Sequence, residues 1–563
     1  MTSNSNARIL RLTAAIAIAT GACSASAVVT LDANFDSGAL KSYSLAGNTV
    51  NLVGRDTYAF GNHQLGGGHW RWIDFKASGV QGANLTFSIS GEFGGDSTGY
   101  PPTPANHELK DHEMVYSYDG ENWNYFPHAN NQLLNIGNPN TNGANDVFKF
   151  SLGQPFTQNE VYVAYALPYT YARSVAHAET VLASPWAEPT ASGNAQGVIG
   201  QAPAGVDELG RSQPALDLFA YRITNPATDS ATPKRRAMIA TGQHAAETLG
   251  IYTYEGLVDW LISDDPRAAA VRDKVEVFCY PTLNASGRQA GLSRAMLQWQ
   301  NTDSNGYWYP AALAGANDYV DPERKEQRLN GDAMIADEAS TPGSVLDLFL
   351  DFHSSVPDYT IVGANGQGSV GDGGLRRDDW GYIRSGKENN AWWLALRALQ
   401  PNLLQQPSGS GVGSKTATGF AQTFLGADMA VTLENQFAIS RPMSFYHDYG
   451  QNVGLAMYEA WVRVANPLAG DFDEDGDVDA NDLTAWRVGA GLTTVAAHWQ
   501  GDADQDGDAD GFDLLVWQQQ LGSVTSPAQA VPEPAMGMLL AVGVWGVAFI
   551  HSRRLRPRRP RTR

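Results

Sequence analysis

The side chains of this protein best suited to chemistry fall into two groups. In the first, "AMIATGQHAAETLG" sets His244 and Glu247 three residues apart, just beyond an apolar run, Ala237 to Ala240, that reads as a strand. Further on, "LDLFLDFHSS" delivers His353 near a strand's end, with Asp351 two residues earlier and so on the same face. "MAVTLENQFA" then places Glu434 inside an apolar run, where a carboxylate needs a partner or a task to offset its burial. Imidazole and carboxylate side chains are metal ligands, but the first pair alone decides nothing. With 11 His and 59 acidic residues in 563 positions, about one acid falls three residues after a His by chance.

The second group is a repeat. "GDFDEDGDVDANDLTAW" and "GDADQDGDADGFDLLVW" share one register of acids and glycines. The first copy places Asp471, Asp473, Asp475, Asp477, Asp479 and Asp482 around Gly476; the second places Asp502, Asp504, Asp506, Asp508, Asp510 and Asp513 around Gly507. Ca²⁺ takes six to eight oxygens from a loop that wraps it, and the glycine permits the bend. A solvated acidic linker would neither keep a register nor follow each copy with an apolar helix. Two structural Ca²⁺ sites are therefore expected, with Asp471, Asp473, Asp475, Asp477 and Asp482 in one and Asp502, Asp504, Asp506, Asp508 and Asp513 in the other.

The elements that must position these residues read as follows. From Val28 to about Ala172, short alternating runs such as "ANLTFSISG" and "DVFKFSLG", broken by Gly, Asn and Asp, predict an all-β sandwich. From there to about Pro467, strand-like runs ("RRAMIATG", "VEVFCYP", "DLFLDFHSS", "MAVTLENQF") alternate with helical stretches and predict an α/β domain with its site at strand ends. Hydrophobic content of 43%, with 15 Trp and 22 Tyr, is ample for sizeable cores. The net charge of −21 argues against a general nucleic-acid binder, which needs a basic face.

The order His-x-x-Glu, a distant His and then a strand Glu resembles the zinc carboxypeptidase family, and more narrowly its cytosolic carboxypeptidase-like branch. "VYVAYALPYTYA" is similar to the segment joining the β-sandwich to the catalytic domain in that branch. The resemblance implies an α/β catalytic domain with a mixed central sheet, and makes His244, Glu247 and His353 the ligands of a catalytic Zn²⁺. It makes Glu434 the general base and Arg294, seven residues beyond Gly287, the cation that stabilises the oxyanion. Asp351 would orient His353 from behind; a surface or strand-end role for it stays equally open. Two imidazoles and a carboxylate leave zinc a fourth position for water.

The pattern also departs from the family. Its Asn–Pro–Asp–Gly turn is Asn284-Ala285-Ser286-Gly287 here, and its Asn–Arg pair, which grips a substrate's terminal carboxylate, aligns with Asp303-Ser304. The tyrosine before the catalytic Glu is missing from "PSGSGVGSKTATGFAQTFLGADMA". Arg328, Arg376, Arg377 or Arg384 could supply a substitute cation. Metal-assisted amide hydrolysis of a peptide or protein is thus better supported than strict removal of C-terminal residues. The alternative, from another class, is a surface binding or assembly protein whose peptidase fold no longer catalyses.

The termini speak to location. "ARILRLTAAIAIATGACSASA" reads as a secretory signal peptide cut after Ala27. After Pro534 an apolar segment, Ala535 to Ile550, is followed by seven arginines, which reads as a membrane segment with a cytoplasmic stop. With Val531-Pro532-Glu533-Pro534 before it, this end resembles the PEP-CTERM sorting tail, implying a sorting protease as partner and export to the cell surface or beyond. The calcium repeat resembles a type I dockerin, implying a cohesin-type partner. The expected organisation is a signal peptide at 1–27, a β-sandwich domain at 28–172, a catalytic domain at 173–467, a small α-helical dockerin-like calcium module at 468–523, a linker at 524–534, and a transmembrane segment with basic tail at 535–563.

Overall fold

The computed structural model describes residues 28–55, 70–91, 93, 107, 109–136, 145–228, 233–298, 308, 325–340, 345–355, 379–384, 386–407, 416–437, 439–463, 468–493, 496–504 and 506–524. The signal peptide, the Val531–Pro534 motif, Ala535–Ile550, Asp303, Ser304, Arg376 and Arg377 lie outside the described residues. The chain divides into two compact units, the first ending at Arg463 and the second beginning at Val464.

The first unit opens with two five-stranded sheets. One runs Thr30–Asp32, Asp74–Ser78, Glu160–Ala164, Val115–Ser117, Trp123–Tyr125, antiparallel throughout. The other runs Ser42–Ala46, Thr49–Val53, Thr86–Ser90, Val147–Ser151, Gln132–Leu134, with one parallel pairing, Thr49–Val53 on Thr86–Ser90. Alternation sends Val161 and Val163 inward and leaves Glu160 exposed, as a half-buried strand requires. Aromatic rings join the sheets: Phe75 of the first lies 5.6 Å from Phe87 of the second, which stacks on Phe150 at 5.3 Å. The same core takes in Ala246, Leu249, Ile251 and Tyr252, which surround the predicted metal ligands in sequence, together with Phe437 and Tyr446. The β-rich segment and the α/β segment thus bury apolar surface against each other.

An eight-stranded mixed sheet follows, in the order Ala187–Pro189, Tyr221–Ile223, Val275–Tyr280, Arg235–Thr241, Leu348–Ser355, Met429–Gln436, Trp380–Ile383, Leu404–Pro407. Its four central strands, from Val275–Tyr280 to Met429–Gln436, are parallel. Strands covered on both faces read as continuous apolar runs, which is why "VEVFCY" is buried at every position. The helix Thr248–Leu261 is buried along nearly its whole length and packs on Met443–Met457. The approach depends on glycine: a Cβ on Gly450 would stand 2.1 Å from the carbonyl oxygen of Thr253, and one on Gly256 would stand 2.3 Å from that of His447.

In the second unit, helices Ala480–Gly489 and Gly511–Gln520 follow the two acidic loops and share a core of Phe472, Val478, Ala503 and Trp517. Among the described residues no helix is long and apolar enough to cross a membrane.

Candidate active site

The strand Arg235–Thr241 ends in a turn through Gly242, whose φ of 76° suits glycine. His244 follows, and Glu247 caps the buried helix Thr248–Leu261 without spending its carboxylate on a capping bond. That leaves the carboxylate free to turn toward the neighbouring strand, where His353 sits on Leu348–Ser355. Nδ1 of His244 and Nδ1 of His353 lie 3.1 Å apart. Oε1 of Glu247 is 2.8 Å from the first and Oε2 is 2.7 Å from the second. All three side chains are buried, and among the described residues they form a group able to hold one metal ion.

The protonation pattern favours a cation. Nε2 of His353 lies 2.8 Å from Oδ2 of Asp351, a carboxylate acceptor, so that nitrogen carries a proton and Nδ1 is the one that faces His244 and Glu247. Two nitrogens on one tetrahedral zinc stand roughly 3.3 Å apart, given zinc–nitrogen bonds near 2.0–2.1 Å. The residues therefore fit zinc. Burial opposes the charge on Glu247, yet the two imidazoles outweigh it and hold the carboxyl well below its usual range. Burial likewise opposes a charged His353, but Asp351 and Glu247 outweigh it and raise that imidazole well above its ordinary value. The backbone N–H of Ser354 donates to Glu247 Oε2 at 3.1 Å, and Nη1 of Arg294 donates to Oε1 at 2.8 Å.

Glu434 pairs in parallel register with His353, so both project from the same face of adjacent strands. Burial raises its carboxyl above the ordinary range, and the Glu247 carboxylate adds to this, while His353 and Ser355 oppose the rise. The Ser355 hydroxyl donates to Glu434 Oε2. Sequence reasoning missed Ser355, although its position two residues beyond His353 puts it on the same face.

Arg294 is carried by a loop tied down at its base. Asn284 Nδ2 donates to the carbonyls of Ala295 at 2.9 Å and Gln243 at 3.2 Å, while its Oδ1 accepts the Gly287 N–H at 2.9 Å. Ser286 stands where the resembled turn has Asp, and here a carboxylate arrives from elsewhere: Glu326 accepts the Ser286 N–H at 3.0 Å and its hydroxyl at 2.5 Å. Nothing local in the sequence announced Glu326, which lies on the helix Lys325–Ala339. Arg328 is on that same helix, and Arg384 follows the strand Trp380–Ile383.

In the second unit, Asp471, Asp473 and Asp475 converge in the first loop, and Asp502, Asp504 and Asp513 in the second, where Asp508 and Asp510 also approach Asp513. Asp477, Asp482 and Asp506 are not in these groups. Asp482 accepts N–H bonds across its loop from Asp473 and Asp479, and Asp513 accepts the equivalent bonds from Ala503 and Asp510. The copies interlock: Trp486 donates to the carbonyl of Asp510 at 3.0 Å, and Trp517 to that of Asp479 at 2.8 Å. Partial burial and the carboxylates of Asp482 and Asp475 push Asp473 up to about 7.

Comparison with known proteins agrees with this geometry. The metallo-carboxypeptidase of Burkholderia cenocepacia superposes with a TM-score of 0.53 over 76% of this chain and 97% of its own, at 19% identity. The fold is that of a metallo-carboxypeptidase. A protein of Burkholderia mallei solved under a carboxypeptidase designation gives 0.52 over 77% of this chain and 97% of its own, also at 19% identity. The zinc carboxypeptidase family profile matches residues 204–321, which hold His244, Glu247 and Arg294. Cytosolic carboxypeptidase 2 of Xenopus tropicalis is 28% identical over 153 residues, 27% of this chain and 14% of that protein. Cytosolic carboxypeptidase 6 of Mus musculus is 25% identical over 151 residues, 26% of each. The chain thus matches about a seventh to a quarter of these relatives' lengths. The profile of the PEP-CTERM protein-sorting motif matches residues 530–554, marking a C-terminal sorting tail.

Proposed function

We propose that this protein is an exported zinc metallopeptidase that hydrolyses peptide bonds, with His244, Glu247 and His353 holding the metal and Glu434 acting as general base. The observation that carries the reading is the convergence of two imidazole Nδ1 atoms and one carboxylate, all buried, beside a second carboxylate in strand register with His353. Zinc bound there supplies a Lewis acid that polarises the scissile carbonyl and acidifies water. The rest falls to the chain. Asp351 holds the His353 proton at Nε2 and so keeps Nδ1 available as a ligand. Glu434, its direction fixed by Ser355, takes the proton of the attacking water and returns it to the leaving amine. Arg294, whose Nη1 meets Glu247 Oε1, brings a guanidinium beside the metal ligands, where charge develops on the carbonyl oxygen.

The resemblance to carboxypeptidases suggests cleavage next to a C-terminus, and the replacement of the Asn–Arg grip by Asp303-Ser304 suggests a relaxed demand for a free carboxylate. The paired N-terminal sheets act as the sandwich that accompanies such a domain. The acidic loops hold two Ca²⁺ ions in a dockerin-like module that meets a cohesin-type partner, and a sorting protease removes the C-terminal tail at the cell surface. The test is a screen of peptides with free and amidated C-termini on the purified, zinc-loaded protein. Turnover that Glu434→Gln abolishes supports the reading; a silent screen with zinc bound would reject it.

A further inference from the structure

A run of hydrogen bonds leaves the N-terminal sheets and ends two residues from Glu434. Tyr125, on the strand Trp123–Tyr125, donates its hydroxyl proton to the Arg441 carbonyl at 2.7 Å and accepts the Arg441 N–H at 3.2 Å. Arg441 Nη1 then donates to Asp379 Oδ2 at 2.6 Å, and Asp379 Oδ1 accepts the backbone N–H of Gln436 at 2.8 Å. Both side chains of the ion pair are shielded, Arg441 at 15% exposure and Asp379 at 6%, and the guanidinium carbon lies 4.2 Å from the centre of the Phe445 ring. Burial pushes the Asp379 carboxyl upward, and Arg441 and the Gln436 N–H oppose the rise. A second tie lies beside the first. Phe437 packs on Tyr165 at 5.1 Å, and His112 Nε2 meets the Tyr165 carbonyl at 2.7 Å.

These bonds act on the last turn of register that matters for the reaction. Gln436 is the final residue of the strand Met429–Gln436, and strand ends fray unless their N–H groups are held. Asp379 also directly precedes Trp380, the antiparallel partner of Glu434. His353 on one side, Trp380 on the other and Asp379 at the end together leave the Glu434 backbone no room to drift. A carboxylate that must meet a water proton at hydrogen-bond distance is sensitive to shifts of well under an ångström.

We propose that Tyr125, Arg441 and Asp379 form a positioning relay through which the N-terminal sheets fix the end of the strand Met429–Gln436, and with it the direction of the Glu434 carboxylate. The relay rests on Glu434 being the base. It makes the N-terminal sheets a working part of the active site, because the hydroxyl that anchors the relay belongs to them. None of the three residues touches the metal ligands through the bonds described, so the relay governs turnover and leaves zinc binding alone.

The test compares zinc-loaded wild type with Tyr125→Phe, Arg441→Met and Arg441→Lys, using hydrogen–deuterium exchange of peptides spanning 429–437, zinc content, and kcat and KM on an N-acylated dipeptide. Tyr125→Phe and Arg441→Met should speed exchange at the strand end by about tenfold or more and lower kcat by about tenfold, with KM within about twofold and zinc unchanged. Arg441→Lys, which keeps the cation, should fall between. Phe148→Leu loosens the core of the N-terminal sheets outside the relay and should leave both readouts near wild type. Unchanged exchange in folded Tyr125→Phe and Arg441→Met overturns the relay, as does an equal effect of Phe148→Leu. Absence of turnover in wild type counts against the peptidase reading, and the exchange measurement still decides the relay.

Discussion

His353 and His244 face each other through their Nδ1 atoms at 3.1 Å, though 109 residues separate them in the chain. The parallel pairing of Arg235–Thr241 with Leu348–Ser355 brings the two segments together, and Asp351 turns the His353 ring so that its basic nitrogen faces inward. Lone pairs and a carboxylate directed at one buried point repel unless a cation lies between them.

We predict one zinc per chain by inductively coupled plasma analysis, and none in His353→Ala. Asp351→Asn should retain the fold and lose about 10- to 100-fold in zinc affinity, because the imidazole loses its anchoring acceptor. Unaltered affinity in a competition titration would show Asp351 to be a bystander.

Glu434→Gln should keep zinc and lower kcat by about 100- to 10,000-fold, with KM little changed, as expected for loss of a proton acceptor rather than of binding. Ser355→Ala should act in the same direction by a smaller factor, since it frees the carboxylate to rotate. Steady-state kinetics on one peptide substrate measures both, and a Glu434→Gln protein as fast as wild type would remove the proposed base.

Burial raises the Glu326 carboxyl from an ordinary 4.5 to about 7. The folded protein therefore keeps this proton at pH values where the unfolded chain has released it. The stabilisation is complete below pH about 4.5 and declines as pH rises through about 7, by up to about 3 kcal/mol. Glu326→Gln, which cannot ionise, should lose less stability than wild type between pH 5 and pH 8 in urea melts. Identical pH slopes for the two proteins would contradict this.

Ca²⁺ should stabilise the second unit of the intact protein, by roughly 2.7 kcal/mol at a hundred times the dissociation constant. The expected observation is a melting transition that Ca²⁺ raises and EGTA lowers. Asp471→Ala with Asp502→Ala should abolish the response. A transition indifferent to both additions would leave the acidic loops without their ion.

The acidic loops and the His244–Glu247 turn were legible because each is local: register and spacing along a few residues already bring the groups to one loop or one helix start. The apolar runs around His353 and Glu434 likewise announced buried strands, since a strand covered on both faces does not alternate polar with apolar residues. In the sequence Ser286 stands out only as a departure from the resembled turn. Its pairing with Glu326 was invisible because the two lie 40 residues apart and meet through the packing of a helix.

Sequence by itself thus determined the kinds of group available: two imidazoles, the carboxylates, a guanidinium, the glycines that let turns close, and the apolar strands to carry them. Only the tertiary structure decided which of them meet. Strand order sets His353 beside both Glu434 and the His244 segment, and the shared core sets Tyr125 against Arg441. The reason is physical: spacing along a chain fixes direction within one element, whereas contact between elements depends on sheet register and on which apolar faces bury each other.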